Sequence, residues 1–92
     1  MKQLQLSVPW KQGLHLGPAS RLVGLARASS SVVLLKVGDK VADARSILAM
    51  LLLCASCGMV VNLEIDGDDE DEVLASVVQM FESGQSGGGA AA

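Results

Sequence analysis

The sequence predicts an α+β fold, an open-faced sandwich in which a four-stranded sheet carries three helices on one face, and three observations carry that reading. Segments at 2–8 and 59–66 alternate polar and apolar residues, the mark of strands with one side on a core. Segments after Leu16 and after Asp69 place apolar residues at helical spacing. Short turn signals separate them, giving the order strand, helix, strand, strand, helix, strand, helix. With 92 residues, half of them apolar, the chain has room for one domain burying roughly 60 % of its unfolded surface without disulfides or metals. That domain is expected over residues 1–84, followed at 85–92 by a Gly/Ala/Ser-rich disordered tail or linker.

The first strand, Lys2 to Val8, sets Leu4, Leu6 and Val8 on one face, and Pro9 ends it. Trp10 opens a loop and is expected to pack on the core edge. The first helix runs from Leu16 or Gly17 to Ala28, with Pro18 suited to its first turn and Ala19, Leu22, Val23 and Ala26 as its stripe. Arg21 and Arg27 fall off that stripe, on a solvated face or facing an acidic partner or phosphate. Three serines, 29–31, break the helix. Val32–Val37, the turn Gly38-Asp39 and Lys40–Asp43 read as a hairpin.

Ala44 to Cys57 reads as the second helix, with Ser46 its N-cap and Gly58 its C-cap. It is apolar nearly all round, so some of Ile47, Leu48, Leu51 and Leu52 should stay exposed as a patch that docks a partner. Met59 to Asp66 forms the last strand, with Val61, Leu63 and Ile65 inward. After the turn Asp66-Gly67-Asp68, the acids 69–72 favour a helix start. Leu74, Val77, Val78 and Phe81 are the expected core stripe of this third helix, and Gly84 its end.

Several functions are disfavoured by composition. A net charge of −3 leaves no basic footprint for nucleic acid, and one tryptophan with one phenylalanine makes no stacking platform. The amino terminus lacks the apolar run of a signal peptide, so a cytoplasmic location is expected. The uncharged run from Ser46 to Leu63 lies at the lower edge of what spans a bilayer of about 30 Å, but its second half alternates like a strand, so no membrane span is expected. Cys54-Ala55-Ser56-Cys57 has the spacing of half a zinc site or a redox pair; lacking further ligands and the strand-then-helix setting, the cysteines read as small apolar fillers at a helix end in a reducing compartment. The acids near 66–72 lack the glutamate a calcium loop needs. No metal and no cofactor are expected.

Chemistry concentrates in Gly13-Leu14-His15-Leu16-Gly17-Pro18-Ala19-Ser20, where the single histidine stands at the start of a helix. First-turn N–H groups have no intrahelical acceptors and, with the macrodipole, favour an anion such as phosphate. Imidazole can serve as a nucleophile near neutral pH. This Gly-Leu-His-x-x-Pro-Ala run resembles the active-site signature of the HPr family, the histidine-containing phosphocarriers of the phosphoenolpyruvate:sugar phosphotransferase system. Ala44-Arg45-Ser46-Ile47-Leu48 resembles the segment carrying that family's regulatory serine, at the matching distance from His15.

The resemblance covers nearly the whole chain and implies an antiparallel sheet. It also implies a monomeric covalent carrier, rather than a turnover enzyme, in which Nδ1 of His15 takes a phosphoryl group from phosphorylated enzyme I and passes it to an enzyme IIA in sugar uptake or its regulation. Leu16, Gly17, Pro18 and Ala19 would surround the phosphoryl group, Ile47, Leu48 and Leu51 would meet partners, and a serine kinase would act on Ser46. The family carries an arginine two residues after its histidine, where this chain has Gly17. Arg21, about 9 Å beyond His15 along the helix axis at 1.5 Å per residue, is the side chain expected to lean back in its place. The alternative is an HPr-like regulatory binding module with weak or no transfer.

Overall fold

A computed structural model describes residues 1–83. The elements are β1 (Lys2–Ser7), α1 (Leu16–Ala28), β2 (Val32–Val37), β3 (Lys40–Asp43), α2 (Ile47–Leu52), β4 (Val60–Asp66) and α3 (Glu70–Ser83). The sheet order is β1-β4-β2-β3 and every pairing is antiparallel, so the expected βαββαβα sandwich is the observed fold.

Register explains the two faces. Leu4 pairs with Leu63, Leu6 with Val61, Val33 with Ile65, Leu35 with Leu63 and Ala42 with Leu35, so these side chains share one face. Val33, Leu35, Ala42, Val61, Leu63 and Ile65 are buried there, under Leu22 and Ala26 of α1, Met50 of α2 and Val77 and Phe81 of α3. Trp10 packs as expected, its ring 4.8 Å from that of Phe81. The other face is bare and mostly polar, with Gln3, Gln5, Asn62 and a Lys36–Glu64 ion pair at 2.6 Å. Lys2 ties β1 to α3 through Asp71 at 3.1 Å.

A second tie fixes the start of α3. The Asp69 carboxylate accepts from the Ser30 N–H at 3.1 Å and from the buried Ser31 hydroxyl. Those two hydrogen bonds, Ser31's first, hold the Asp69 carboxyl below its ordinary value. Gly67 comes so close to Ser31 that an added Cβ would lie 2.5 Å from its Cα.

Three expectations are corrected. The helix read over Ala44–Cys57 is only Ile47–Leu52, with Leu53 as its C-cap. An apolar run suggested a longer helix, but the carbonyl of Ala55 is claimed by Leu14 and the chain must leave the helix to reach it. Gly58 is therefore no C-cap; Cys54 takes the left-handed φ of 54° after the helix, while Gly58 serves the Ser56–Met59 turn and donates to Val8 at 2.9 Å. Both cysteines are exposed, not packed as fillers.

The stripe of α3 is Val73, Val77, Met80 and Phe81, with Leu74 and Val78 only half-buried. A period of 3.6 admits either neighbouring stripe, and the structure buries the one that begins at Val73. The expected end at Gly84 and the tail 85–92 lie outside the described residues. Among the described residues no helix is long and apolar enough to cross a membrane.

Candidate functional site at the start of helix α1

The approach to His15 is shaped by backbone. Gly13 has φ +75°, a conformation L side chains rarely adopt, and a Cβ there would lie 2.4 Å from the Ala55 carbonyl oxygen. That same oxygen accepts the Leu14 N–H at 2.8 Å, and Gly13 donates to Trp10 at 2.8 Å. The segment that follows α2 thus braces the loop that presents the histidine.

His15 is the N-cap of α1, in extended conformation with φ −103° and ψ −169°. Its carbonyl accepts the Ala19 N–H at 3.0 Å and its ring Nδ1 accepts the Gly17 N–H at 3.4 Å. An imidazole nitrogen that accepts carries the lone pair, so this contact pairs the Nδ1 lone pair with the Gly17 N–H and puts the proton of a neutral ring on Nε2. The ring is half-buried, held on a body of buried Leu14, Pro18 and Ala19.

Of the first-turn donors, Pro18 has none and Ala19 is already engaged, which leaves the N–H groups of Leu16 and Gly17 without backbone acceptors. Both lie at the positive end of a 13-residue helix. Arg21 is exposed and lines a groove of about 520 Å³ between α1 and α3 with Gly24, Ser76 and Gln79. Among the described residues no hydrogen bond or ion pair joins it to His15.

Ser46 caps α2: its Oγ accepts the Ala49 N–H at 3.2 Å. Arg27, at the far end of α1, donates to the Arg45 carbonyl at 3.4 Å, whereas the chain after α2 meets Leu14. The two helices therefore run in opposite senses, and Ser46 lies toward the Arg27 end of α1, away from His15. Of the three expected docking residues, Leu48 is 64 % exposed, while Ile47 and Leu51 are half-buried against the core. The apolar surface also includes Leu16 (62 %) beside the histidine and Leu52 (63 %), which joins Val41 of β3 along one side of α2. Helical spacing named Leu52 within the patch. Nothing in the sequence pointed to Ala55, whose contribution is its peptide carbonyl.

Comparison with known proteins agrees with this geometry. The family model described as "PTS HPr component phosphorylation site" matches residues 2–83. A phosphocarrier protein HPr of Xylella fastidiosa strain Temecula1 is 32% identical over 83 residues, 90% of this chain and 93% of that one. A phosphocarrier protein NPr of Escherichia coli K12 is 36% identical over 75 residues, 80% of this chain and 83% of that one. The crystal structure of HPr from Thermoanaerobacter tengcongensis superposes with a TM-score of 0.86 at 36% identity, covering 91% of this chain and 94% of that one.

Proposed function

Because the chain belongs to the HPr family, the phosphocarrier proteins of the phosphotransferase system, we propose that His15 accepts a phosphoryl group from phosphorylated enzyme I and hands it to an enzyme IIA-type acceptor. The observation that carries the reading is the pairing of Nδ1 with the Gly17 N–H at the head of α1. The Nδ1 lone pair attacks phosphorus as the bond to the donor breaks, and the same bonds form and break in reverse on the acceptor. As the N–P bond forms, the Gly17 N–H loses the lone pair and turns to a phosphoryl oxygen, joined by the Leu16 N–H. The Leu16 N–H and the helix dipole are in place before reaction, so only the Gly17 N–H changes partner when the charge arrives.

Leu16 and Leu48, exposed and apolar, suit contact with the partner proteins, with Ile47 and Leu51 supporting Leu48 from below. An exposed Ser46 is open to a serine kinase. Gly17 favours a second reading, a regulatory binding module with weak transfer: it offers no side chain to the phosphoryl group, and Arg21 makes no bond toward it.

One assay separates the two. On incubation with enzyme I and phosphoenolpyruvate, the carrier gains the mass of one acid-labile phosphate, and His15→Ala gains none. No gain with an enzyme I from the same source rejects the carrier reading and leaves the binding module.

A further inference from the structure

The proposed carrier chemistry leaves Cys54 and Cys57 unused. Both thiols are free and exposed, and they bracket Ala55 and Ser56. Ala55 is the residue whose carbonyl holds the Leu14 N–H at 2.8 Å and against which Gly13 is fitted. Cys54 is the one non-glycine among the described residues with a positive φ, 54°, a conformation that persists only where its surroundings impose it. No backbone hydrogen bond closes Cys54 onto Cys57; the chain's turn comes later, from the Ser56 carbonyl to the Met59 N–H at 3.0 Å.

A disulfide requires Cα atoms within about 4.4 to 6.8 Å, so linking residues three apart folds Cys54–Cys57 into a tight turn. Residues 54–56 form no turn at present, so closing one around Ala55 would swing its peptide away from Leu14.

We infer that Cys54 and Cys57 form a thiol–disulfide pair whose closure withdraws the Ala55 carbonyl from Leu14 and loosens the loop that presents His15. The oxidant is a low-molecular-weight disulfide. One protein thiolate attacks it, forming a mixed disulfide and releasing one thiol; the second protein thiolate displaces the other thiol. Two protein thiols are oxidised, the small disulfide is reduced to two thiols, and the two protons stay with those products. A small thiol reverses the sequence. The effect on phosphoryl acceptance rests on the carrier reading; the disulfide and its effect on Leu14 do not.

The protein is incubated with glutathione disulfide and followed by intact mass and by amide exchange at Leu14. The expected product has lost two hydrogens, and its Leu14 amide exchanges about tenfold faster or more than in the reduced protein, since that amide has lost its acceptor. Cys57→Ser stops at a single glutathione adduct with Leu14 still protected. Stable adducts on both cysteines of the parent protein, or linkage between two chains, would overturn the pair. So would loss of two hydrogens with Leu14 exchange unchanged. Phosphoryl uptake from enzyme I is then compared in the two forms, and the oxidised protein is expected to be about tenfold slower, reversibly with a small thiol and not in Cys57→Ser. Equal uptake removes the switch. Should the reduced protein take no phosphate either, the carrier reading fails while mass and exchange still decide the disulfide.

Discussion

At His15 one residue caps a helix with both its backbone and its ring: the carbonyl engages Ala19 while Nδ1 engages Gly17. The geometry depends on Gly13, whose φ of +75° and contact with Ala55 exclude a side chain. Gly13→Ala is expected to cost about 1–3 kcal/mol from the backbone conformation alone. At about 4–8 °C per kcal/mol for a domain of this size, the melting temperature should fall by several degrees or more. An unchanged melting curve would show that the loop shifts freely. Gly17→Arg tests the opposite sense. A guanidinium adds charge-assisted donors worth about 1.5–3 kcal/mol, so hydrolysis of the phosphohistidine should slow about tenfold. If hydrolysis is unchanged, the Leu16 and Gly17 peptides already suffice. The histidine, the proline and the glycine before them were legible in the sequence because each has a distinctive backbone or chemical requirement. The Ala55 brace was not, since a peptide carbonyl belongs to every residue.

Among the elements, α2 departs furthest from its pattern. Leu, Ile, Met and Ala from 47 to 53 read as helix, but no local signal tells where an all-apolar run must stop in order to deliver a carbonyl to a distant loop. Its start was legible because Ser46 has the chemistry of a cap, and the structure uses it so. Ser46→Ala should lower stability by about 0.5–2 kcal/mol, read as a shift in the denaturant midpoint at constant slope. Ser46→Asp keeps a capping oxygen and suits the helix dipole, so it should melt cooperatively near the parent temperature. Its phosphoryl uptake from enzyme I should nevertheless drop about tenfold, because a charge beside the exposed Leu48 opposes docking. The remoteness of Ser46 from His15 means that such a drop acts through the docking face. Uptake equal to the parent's would place the interface elsewhere.

On the scale of the whole molecule, the order of elements along the chain and the helix layering followed from period-2 and period-3.6 patterns joined by short turns, whereas the strand order β1-β4-β2-β3 had no counterpart in those patterns. The rotation of α3 did not follow either, because two adjacent stripes were equally apolar and periodicity alone does not choose between them. Asp69 joins the α1–β2 turn to the head of α3, its hydrogen bonds to Ser30 and Ser31 spanning 39 and 38 positions of chain. Its carboxyl is depressed in the folded state, so its contribution is present above the ordinary value of 3.8 and is lost as pH falls through the lower folded value. Asp69→Asn, which imitates the protonated acid, should melt below the parent at pH 7, and the gap should narrow as pH drops below 3.8. A gap that is constant with pH would mean that ionisation of Asp69 contributes nothing.

The two donors left at the head of α1, on Leu16 and Gly17, are peptide groups. A binding site made of peptide groups cannot be deleted by exchanging the side chains around it. Only changes that bend the chain, such as a side chain at Gly13 or the loss of Pro18, reach it. Side chains at positions 16 and 17 can thereby be exchanged, and a glycine at 17 leaves these peptide donors in place. Under the proposed carrier role the histidine is the exception, the single side chain that would bear the phosphoryl group. Mutational tolerance around this site should therefore be sharply uneven, broad at the residues that flank it and almost absent at the residue they serve.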